Sequence, residues 1–403
     1  MQVIDIDSHF MEPFTWFEDA FPEIHAKCPP VPLVEMVVEA LMGDLVTALP
    51  PGVALGPRDL LPTTLLDMLD HWTELEDKVR AGNEAARAEL EQIRSARALP
   101  PSQYDGDARR AWIDEQGIDV QVVLPTLGYF PYRAAMKAGM REEAFEALGA
   151  YNTWAADQLA GHTDRLIPVT LVDLSDLEWS LSEIRRMRER GSRVVQIKAE
   201  PVGGKSLAHP DFDRLWSLFE DLDIAVMLHV GGGRVPVDTG WLDNGGHPLD
   251  LTAMYGTYVR RLVPELTLSA LILRGVLEHH PKLRFFVAEL GAHWVPEFGP
   301  RLDALVDRTQ QTASATGRSF AELQLKPSEY FARHVRVAAL ASESGLDDTL
   351  ARSPDDVIVY SSDYPHPEGT KSPTDVFDDL LADASTDTRE RFYGRSVADF
   401  AGF

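Results

Sequence analysis

The sequence contains a single cysteine, Cys28, and little positive charge for its length. One thiol excludes a disulfide framework within the chain and any zinc or iron–sulfur site built from several cysteines. Lysine and arginine total 38 against 64 aspartate and glutamate residues, which gives a formal net charge of -26. Because so acidic a surface repels nucleic acid and anionic lipid, we expect neither as a partner.

Long apolar runs are also lacking. No uninterrupted apolar run is long enough to span a bilayer, and the N-terminus has no basic region followed by an apolar one. Hydrophobic residues still make up 44% of the 403 residues, which is enough for a large core. We therefore expect a soluble, cytoplasmic protein.

The sequence does contain eight short apolar runs rich in valine and isoleucine. Most are continuous rather than alternating, which is typical of parallel strands covered on both faces. Helical patterns lie between most of them, and this alternation predicts βαβ units. Eight units favour a (β/α)₈ TIM barrel, although counting alone leaves an open doubly wound sheet as an alternative. The runs occupy residues 3–7, 119–125, 165–171, 193–199, 223–230, 283–289, 334–339 and 356–363.

The connection between the first two runs is abnormally long. It extends from residue 8 to residue 118, far beyond an ordinary strand-to-helix connection. It begins with a proline-rich stretch and continues into a charged helical pattern. We predict a helical insertion at 24–110 within a single domain, 1–403, that forms either a cap over the barrel mouth or a dimer arm.

Several of the predicted strands end on residues that bind metals. Asp7 and His9 end the first run and face the same way, because alternate strand residues share a face. His229 ends the fifth run and Asp363 the eighth. Each has a structural explanation when taken singly, but in a barrel all four lie at the face that carries function. Carboxylate and imidazole suit Zn²⁺, Mn²⁺ or Fe²⁺, so the four predict one divalent metal site.

Other polar residues lie at the same predicted rim. Glu289 ends the sixth run, His293 follows it, and Glu12 and His366 lie just beyond the metal ligands. Glu12 either touches substrate or helps the chain turn into the insertion. We consider Glu12, Arg234 and His366 as substrate-binding residues. A substrate carboxylate would call for an arginine, and four are near the rim in sequence: Arg133, Arg234, Arg260 and Arg301.

Five stretches together resemble the amidohydrolase-related family, the metal-dependent barrels that include aminocarboxymuconate-semialdehyde decarboxylase and resorcylate decarboxylases. The resemblance covers both ends and the middle of the chain, but not the insertion. The stretches are "IDIDSHFMEP", "DFDRLWSLFEDLDIAVMLHVGGG", "HHPKLRFFVAELGAHWVPE", "KPSEYFARHV" and "VIVYSSDYPHPEGT".

The resemblance implies a distorted (β/α)₈ barrel, a homodimer, and one divalent ion, with zinc favoured over manganese or iron. It carries the ligand roles onto Asp7, His9, His229 and Asp363, and makes Asp363 the proton-transfer group as well. Many members place a histidine at the end of the sixth strand as an acid–base residue, where this chain has Glu289. Either Glu289 takes that role, or His293 folds back into the site, or the step is carried out differently.

Two reactions fit these residues. Non-oxidative decarboxylation of a small carboxylated aromatic or related acid is our leading hypothesis, because it is the chemistry of the family members named above. Hydrolysis of a C–N, C–O or C–C bond by a metal-activated water is the close alternative. A barrel retained only as a binding module is a remote third, which a set of four ligands argues against.

Overall fold

The computed structural model describes residues 1–13, 15–31, 34, 62–96, 99–230, 252–316, 322–366 and 374–403. For 94–96, 252–260 and 311–316 it describes the course of the backbone only. Of the predicted site residues, Arg234 lies outside the described residues, and so does a large part of the predicted insertion.

Eight parallel strands form one sheet in the order of the sequence. The continuous apolar runs produce strands that are buried along nearly their whole length, as expected for a sheet covered on both faces. The strands are β1 (Ile4–His9), β2 (Val120–Leu124), β3 (Leu166–Leu171), β4 (Val194–Gln196), β5 (Ala225–His229), β6 (Phe285–Ala288), β7 (Val335–Ala338) and β8 (Ile358–Val359).

The sheet curls into a nearly closed barrel. Each strand pairs in parallel with the next, from β1 with β2 through to β7 with β8. A single bridge between Ser8 and Tyr364 joins the end of the barrel to its beginning. The prediction of a (β/α)₈ TIM barrel is confirmed.

β8 is much shorter than the predicted run 356–363. The residues after Val359 make other contacts: Tyr360 donates its N–H to the carbonyl of Phe392, and Ser361 Oγ donates to the carbonyl of Ala339. The apolar pattern predicts that this segment is buried, but it does not predict which groups form hydrogen bonds with its backbone and side chains.

Helices follow the strands and cover the barrel. Asp105 accepts the N–H of Ala108 at the start of one of them, and Gly117 ends the same helix in the left-handed conformation. The helices between β1 and β2 are α1 (Trp16–Ala20), α2 (Pro22–His25), α3 (Thr63–Arg80), α4 (Glu84–Ala96) and α5 (Gly106–Gln116). Those after β2 are α6 (Phe130–Lys137), α7 (Arg141–Gln158), α8 (Leu177–Glu189), α9 (Asp213–Asp221), α10 (Thr252–Leu273), α11 (Val276–His279), α12 (Val295–Thr316), α13 (Pro327–His334), α14 (Leu346–Arg352), α15 (Asp375–Leu380), α16 (Thr386–Glu390) and α17 (Ser396–Ala401).

The described part of the stretch 24–110 is mainly helical. Helices α3 and α4 form a hairpin with a small apolar core of its own, separate from the core of the barrel. Its charged residues lie outside that core, as in the ion pairs Lys78–Glu74 and His71–Glu89 at 2.7 and 3.1 Å. Among the described helices, none is both long enough and apolar enough to cross a membrane. The core of the hairpin consists of Val34, Leu69, Trp72, Leu75, Ala86 and Leu90.

Candidate metal centre

The end of β1 directs two of the predicted ligands to the same point. Asp7 and His9 are buried, and His9 Nε2 lies 3.3 Å from Asp7 Oδ1. Ser8 turns the other way and donates its hydroxyl to the carbonyl of Val122 on β2. The alternation of a strand therefore places Asp7 and His9 together, as their spacing predicts.

His229 and Glu289 meet this pair from β5 and β6. His229 ends β5, and its Nε2 lies 3.1 Å from Glu289 Oε1 and 3.6 Å from Asp7 Oδ1. His9 Nε2 is also 3.1 Å from Glu289 Oε1. One ligand atom from each of Asp7, His9, His229 and Glu289 lies within 4.8 Å of the others. Glu289, predicted as an acid–base residue, thus also occupies a ligand position.

Asp363 reaches the cluster from the segment after β8. Its Oδ1 lies 3.6 Å from His9 Nε2. Asp363 and Glu289 have φ angles of 52° and 55°, in the left-handed region that residues other than glycine seldom adopt. Such conformations are costly and concentrate at functional sites. In both residues the unusual backbone accompanies a carboxylate that belongs to the cluster.

Backbone carbonyls orient both imidazoles. His9 Nδ1 lies 2.8 Å from the carbonyl of Pro125, and His229 Nδ1 lies 3.0 Å from that of Val230. Since a carbonyl only accepts, each Nδ1 carries a hydrogen, which leaves Nε2 as the nitrogen that would give its lone pair to an ion. Metal-binding histidines are typically held in this way by a partner on the other nitrogen.

The ring and carboxylate atoms that face one another make no hydrogen bond of good geometry among the described residues. Three carboxylates so close together, with no balancing cation, would be costly to bury. Three of the five contacts, at 3.1 to 3.3 Å, lie within the roughly 3.0–3.4 Å that separates ligands placed about 2.1 Å from one ion, and the other two, at 3.6 Å, lie just beyond it. The donor set therefore fits a divalent cation. The unpartnered atoms are Asp7 Oδ1 and Oδ2, His9 Nε2, His229 Nε2, Glu289 Oε1 and Asp363 Oδ2.

The pKa values of His9, His229 and Asp363 are shifted by burial and by the neighbouring charged groups of the cluster. Burial lowers the pKa of His9, but the carboxylates of Asp7 and Glu289 outweigh it and raise the value to about 10. Burial disfavours the charged form of His229 as well, yet Glu289 and Asp7 hold its pKa well above the usual range. For Asp363, burial raises the pKa to about 7, with Asp7 and Glu289 adding to the shift against the lowering contact with His366. The carboxylates thus favour positive charge at the centre of the cluster.

His366 lies beside the cluster and links it to the loop after β2. Its Nδ1 is 2.8 Å from Asp363 Oδ1 and 3.5 Å from Glu289 Oε1, and its ring centroid lies 4.0 Å from that of His9. Its Nε2 is 2.8 Å from the hydroxyl of Thr126, which in turn donates to the carbonyl of Phe10. His366 was predicted to bind substrate, and the structure places it next to the carboxylate predicted to transfer protons.

The structure does not bring His293 to the cluster. Its side chain is 52% exposed, its Nδ1 lies 3.2 Å from the hydroxyl of Thr349, and its Nε2 lies 3.8 Å from Glu343. Glu343 also accepts the N–H groups of Ala292 and Leu340. The loop after β6 therefore turns His293 outward, because its backbone is held by Glu343, while Glu289 alone points inward.

Glu12 has a different environment from the one predicted for a substrate-binding residue. It is fully buried, and its carboxylate accepts the N–H groups of Thr126 and Leu127 at 3.3 and 2.7 Å. Burial raises the pKa of Glu12 against these hydrogen bonds. These contacts anchor the loop after β2. The same loop carries Pro125, which contacts His9, and Thr126, which contacts His366.

The candidate arginines are in different surroundings. Arg301 pairs with Glu265 and is mostly exposed. Arg133, on α6, lies over the ring of Tyr129 at 5.5 Å and hydrogen-bonds to it. Burial raises the pKa of Tyr129, and the charges that act on it include those of Arg133 and His229. Arg133 therefore contacts a tyrosine on which the charge of His229 acts, whereas the side chain of Arg260, like Arg234, lies outside the described part.

A cleft of about 280 Å³ opens where β3 and β4 end, on the face that carries the cluster. The hydroxyl of Tyr132 on α6 donates to Asp173 at its edge. Its charged lining consists of Arg141, Asp173, Lys198 and Glu200. The cleft thus presents charged side chains of both signs, and its lining includes no residue of the cluster.

The whole length of this barrel matches one family. A family model described as Amidohydrolase matches residues 4–396. The chain belongs to the amidohydrolase family. The resemblance noted in the sequence is confirmed, and the protein is an enzyme of the lyase or hydrolase type. A search of curated proteins found no match.

Solved structures of other amidohydrolase-type barrels share the fold. One is an amidohydrolase from Mycobacterium avium subsp. paratuberculosis, 21% identical, covering 100% of this chain and 99% of that chain, with a TM-score of 0.63. A mutant 5-carboxyvanillate decarboxylase from Novosphingobium aromaticivorans, with bound manganese and 3-methoxy-4-hydroxy-5-nitrobenzoic acid, is 18% identical, covers 100% and 97%, and has a TM-score of 0.61. A 2,6-dihydroxybenzoate decarboxylase from Rhizobium is 17% identical, covers 73% and 88%, and has a TM-score of 0.54.

Four residues around this amidohydrolase centre were not predicted from the sequence: Thr126, Asp5, Gln121 and Arg109. Thr126 follows the second apolar run directly, and a systematic search of every strand end would have found it. Asp5 precedes Asp7 and His9 at the same two-residue spacing, so the alternation that marked the ligands also marked Asp5. Gln121 and Arg109, which contact Asp5 or its neighbours, carried no such signal.

Proposed function

We propose that this amidohydrolase is a divalent-metal-dependent decarboxylase of a small carboxylated aromatic or related acid. The observation that carries the proposal is the convergence of carboxylates and imidazoles at the barrel mouth in two overlapping groups that share His9 and Glu289. One group adds Asp7 and His229, and the other adds Asp363 and His366. The decarboxylases that share the fold support this choice of reaction.

Asp7, His9, His229, Glu289 and Asp363 would hold the ion. The sequence alone favoured zinc, and imidazole suits zinc well, but the added carboxylate of Glu289 increases the share of oxygen ligands and strengthens the case for manganese. When bound, a divalent ion polarises a substrate oxygen and neutralises its negative charge.

Asp363 is the proposed proton donor. Its Oδ1 lies beside His366, and its Oδ2 has no partner in the described part of the chain, so this oxygen is available to a bound molecule. In decarboxylation, Asp363 gives a proton to the ring carbon that bears the carboxylate. The C–C bond then breaks, its electron pair returns to the ring, and CO₂ leaves. Asp363 regains a proton from water, with His366 and Thr126 holding its orientation.

Arg133 is the best-placed described arginine for an anionic group of the substrate. It lies against Tyr129, which is within the electrostatic reach of His229, and it is on the helix that follows β2. A guanidinium can hold a carboxylate through two parallel hydrogen bonds. The cleft at the ends of β3 and β4 would take the remainder of the molecule.

Hydrolysis is the second candidate, and Glu289 is the observation that favours it. In the resemblance noted above, many members place an acid–base histidine where this chain has Glu289. A carboxylate there suits a ligand better than a proton donor to carbon, which leaves Asp363 and His366 as the acid–base pair. That pair can equally take a proton from an attacking water.

The deciding experiment is a product assay on a panel of hydroxybenzoates and related acids in water enriched in ¹⁸O. We expect CO₂ release with stoichiometric formation of the decarboxylated phenol, and no label in that phenol. Label incorporated into an organic product, without CO₂ release, would replace the decarboxylase proposal with hydrolysis. Protein freshly purified without chelators and free of any divalent ion, by elemental analysis, would contradict the metal centre itself.

The α3–α4 hairpin is proposed to act either as a cap over the mouth or as a dimer arm. Its separate apolar core allows it to move or vary independently of the barrel. Homodimer formation and a cytoplasmic location stay predictions. Sedimentation of the full chain, compared with a chain in which 62–96 is replaced by a short linker, separates the two roles: only a dimer arm would lose its dimer.

A further inference from the structure

The barrel has a seam where its last strand meets its first. Every other neighbouring pair of strands is joined by a parallel ladder, but at the seam the described residues form one isolated bridge, between Ser8 of β1 and Tyr364 in the segment after β8. Two backbone hydrogen bonds close the seam: Asp363 donates to the carbonyl of Asp7 at 2.8 Å, and His9 donates to that of Tyr364 at 2.6 Å. Both lie at the level of the proposed ligands. The seam therefore passes through the metal centre, with Asp7 and His9 on one side and Asp363 on the other.

Below that level, a side chain makes the connection instead of backbone. Asp5 is fully buried, and its Oδ1 accepts the N–H groups of Ser362 and Asp7 at 2.9 and 3.2 Å. Its Oδ2 accepts the hydroxyl of Ser362 at 2.6 Å and the amide of Gln121 at 2.8 Å. One carboxylate thus joins β1, β2 and the segment after β8, directly beside two proposed ligands.

A buried arginine extends this network to the other ligand of β1. Arg109, on α5, donates to Gln121 Oε1 at 3.3 Å and to the carbonyl of His9 at 2.5 Å. Its guanidinium also lies 4.7 Å from the centre of the ring of Tyr364. Arg109 can only donate and ionised Asp5 can only accept, so together they fix the orientation of the Gln121 amide between them.

We propose that Asp5 is a positioning residue for the metal centre: by holding the two sides of the seam, it sets the spacing between the ligands of β1 and Asp363. Asp5 has no contact with the centre of the cluster and is not itself a ligand. This inference rests on the metal centre proposed above. Groups that orient ligands from outside the metal shell typically alter metal affinity when they are changed.

The test uses Asp5→Asn, which preserves the shape of the side chain. The asparagine amide would face the Gln121 amide, and rotating Gln121 would turn its N–H₂ toward Arg109, so one pair of donors is always opposed. Thr170→Val is the matched control. Thr170 is on β3, away from the seam, and the substitution removes the buried hydrogen bond that its hydroxyl donates to Ser192.

Two measurements are made on the full chain: Mn²⁺ affinity by titration calorimetry with the electron paramagnetic resonance spectrum of the bound ion, and amide exchange in metal-free protein. We expect Asp5→Asn to weaken Mn²⁺ binding by about 10–100-fold and to alter the spectrum. We expect faster exchange at the amides of His9 and Asp363, which close the seam. Thr170→Val should lower the melting temperature but leave affinity, spectrum and these two amides unchanged.

The outcomes separate this inference from the proposed function. Wild-type protein that binds no Mn²⁺ or Zn²⁺ would overturn the metal centre. Wild-type binding with unchanged affinity in Asp5→Asn would overturn only the role of Asp5, and so would an equal loss in Thr170→Val. Should Asp5→Asn fail to fold, Ser362→Ala removes a single hydroxyl donor to Asp5. A smaller loss of affinity in Ser362→Ala supports the inference, and unchanged affinity contradicts it.

Discussion

Two clusters of buried polar side chains lie next to each other on β1 and differ in one respect. In the inner cluster, built on Asp7 and His9, carboxylate oxygens and imidazole nitrogens from several strands converge on one point and make no other hydrogen bond among the described residues. In the seam network, built on Asp5 and Arg109, both oxygens of Asp5 accept well-placed donors. The residues on which the two clusters are built, Asp7 and His9 in one and Asp5 and Arg109 in the other, are all buried.

This difference in hydrogen bonding distinguishes the inner cluster, a candidate binding site, from the seam network, which supports it. Buried polar groups normally find partners, so a group of atoms without partners needs an explanation. A cation provides one for the inner cluster, since each of its inward oxygen and nitrogen atoms can bind a metal ion through a lone pair. The seam network requires no ligand, because Arg109, Gln121 and Ser362 supply its donors. Buried charge alone therefore does not identify the metal centre of this amidohydrolase; the lack of donors does.

Removing an imidazole from the inner cluster should have the largest effect. We expect His229→Ala or His9→Ala to lose both bound metal and turnover. Wild-type protein should gain about 2.7 kcal/mol of stability at a free metal concentration a hundred times Kd, and the variants should gain none. Elemental analysis and thermal unfolding with and without metal check this. His71→Ala, in the exposed hairpin pair with Glu89, is the control; wild-type metal content in His229→Ala would contradict the ligand assignment.

Asp363→Asn should remove the proton donor but leave part of the metal site. We expect turnover to fall by about 10²–10⁴-fold, the contribution typical of a general acid, while some metal is retained. Steady-state kinetics and metal content, measured on the same preparation, separate the two effects. Retention of most of the wild-type kcat would exclude Asp363 from the chemistry.

Arg109→Met should break the seam network without removing a proposed metal ligand. The carbonyl of His9 and Gln121 Oε1 would lose a buried donor, at a cost of about 1–3 kcal/mol for an unsatisfied group. Urea unfolding of metal-free protein measures the loss. Arg110→Met is the control on the same helix, because Arg110 has only partly exposed pairs with Asp114 and Asp164 and should change stability by less than about 1 kcal/mol. Equal losses in the free energy of unfolding of the two variants would contradict a stabilising role of the seam network beyond that of an exposed ion pair.

His293→Gln should have the smallest effect. His293 is half-exposed and contacts Thr349 and Glu343 rather than either buried cluster, so we expect kcat and metal content close to wild type. Kinetic assays beside Asp363→Asn give the comparison. A loss of turnover as large as that of Asp363→Asn would show that the loop after β6 rearranges during catalysis and brings His293 inward.

Much of the architecture was predictable because it depends on local pattern. Continuous valine- and isoleucine-rich runs produced eight buried parallel strands, and their polar ends brought Asp7, His9, His229 and Asp363 together. The length of β8 was not predictable from its apolar run, because the partners of Tyr360 and Ser361 come from distant parts of the chain.

The sequence by itself determined which residues could bind a metal and at which end of each strand they stand. Only the tertiary structure decided between Glu289 and His293, two residues four positions apart in one loop. Glu289 has a left-handed backbone and points inward. Glu343 accepts the N–H of Ala292, next to His293, and His293 points outward. The tertiary structure also decided that Asp5, spaced like a ligand, supports the site instead, because its donors come from β2 and from the far end of the chain. Spacing fixes the face of a strand, whereas long-range contacts fix which groups remain free to bind.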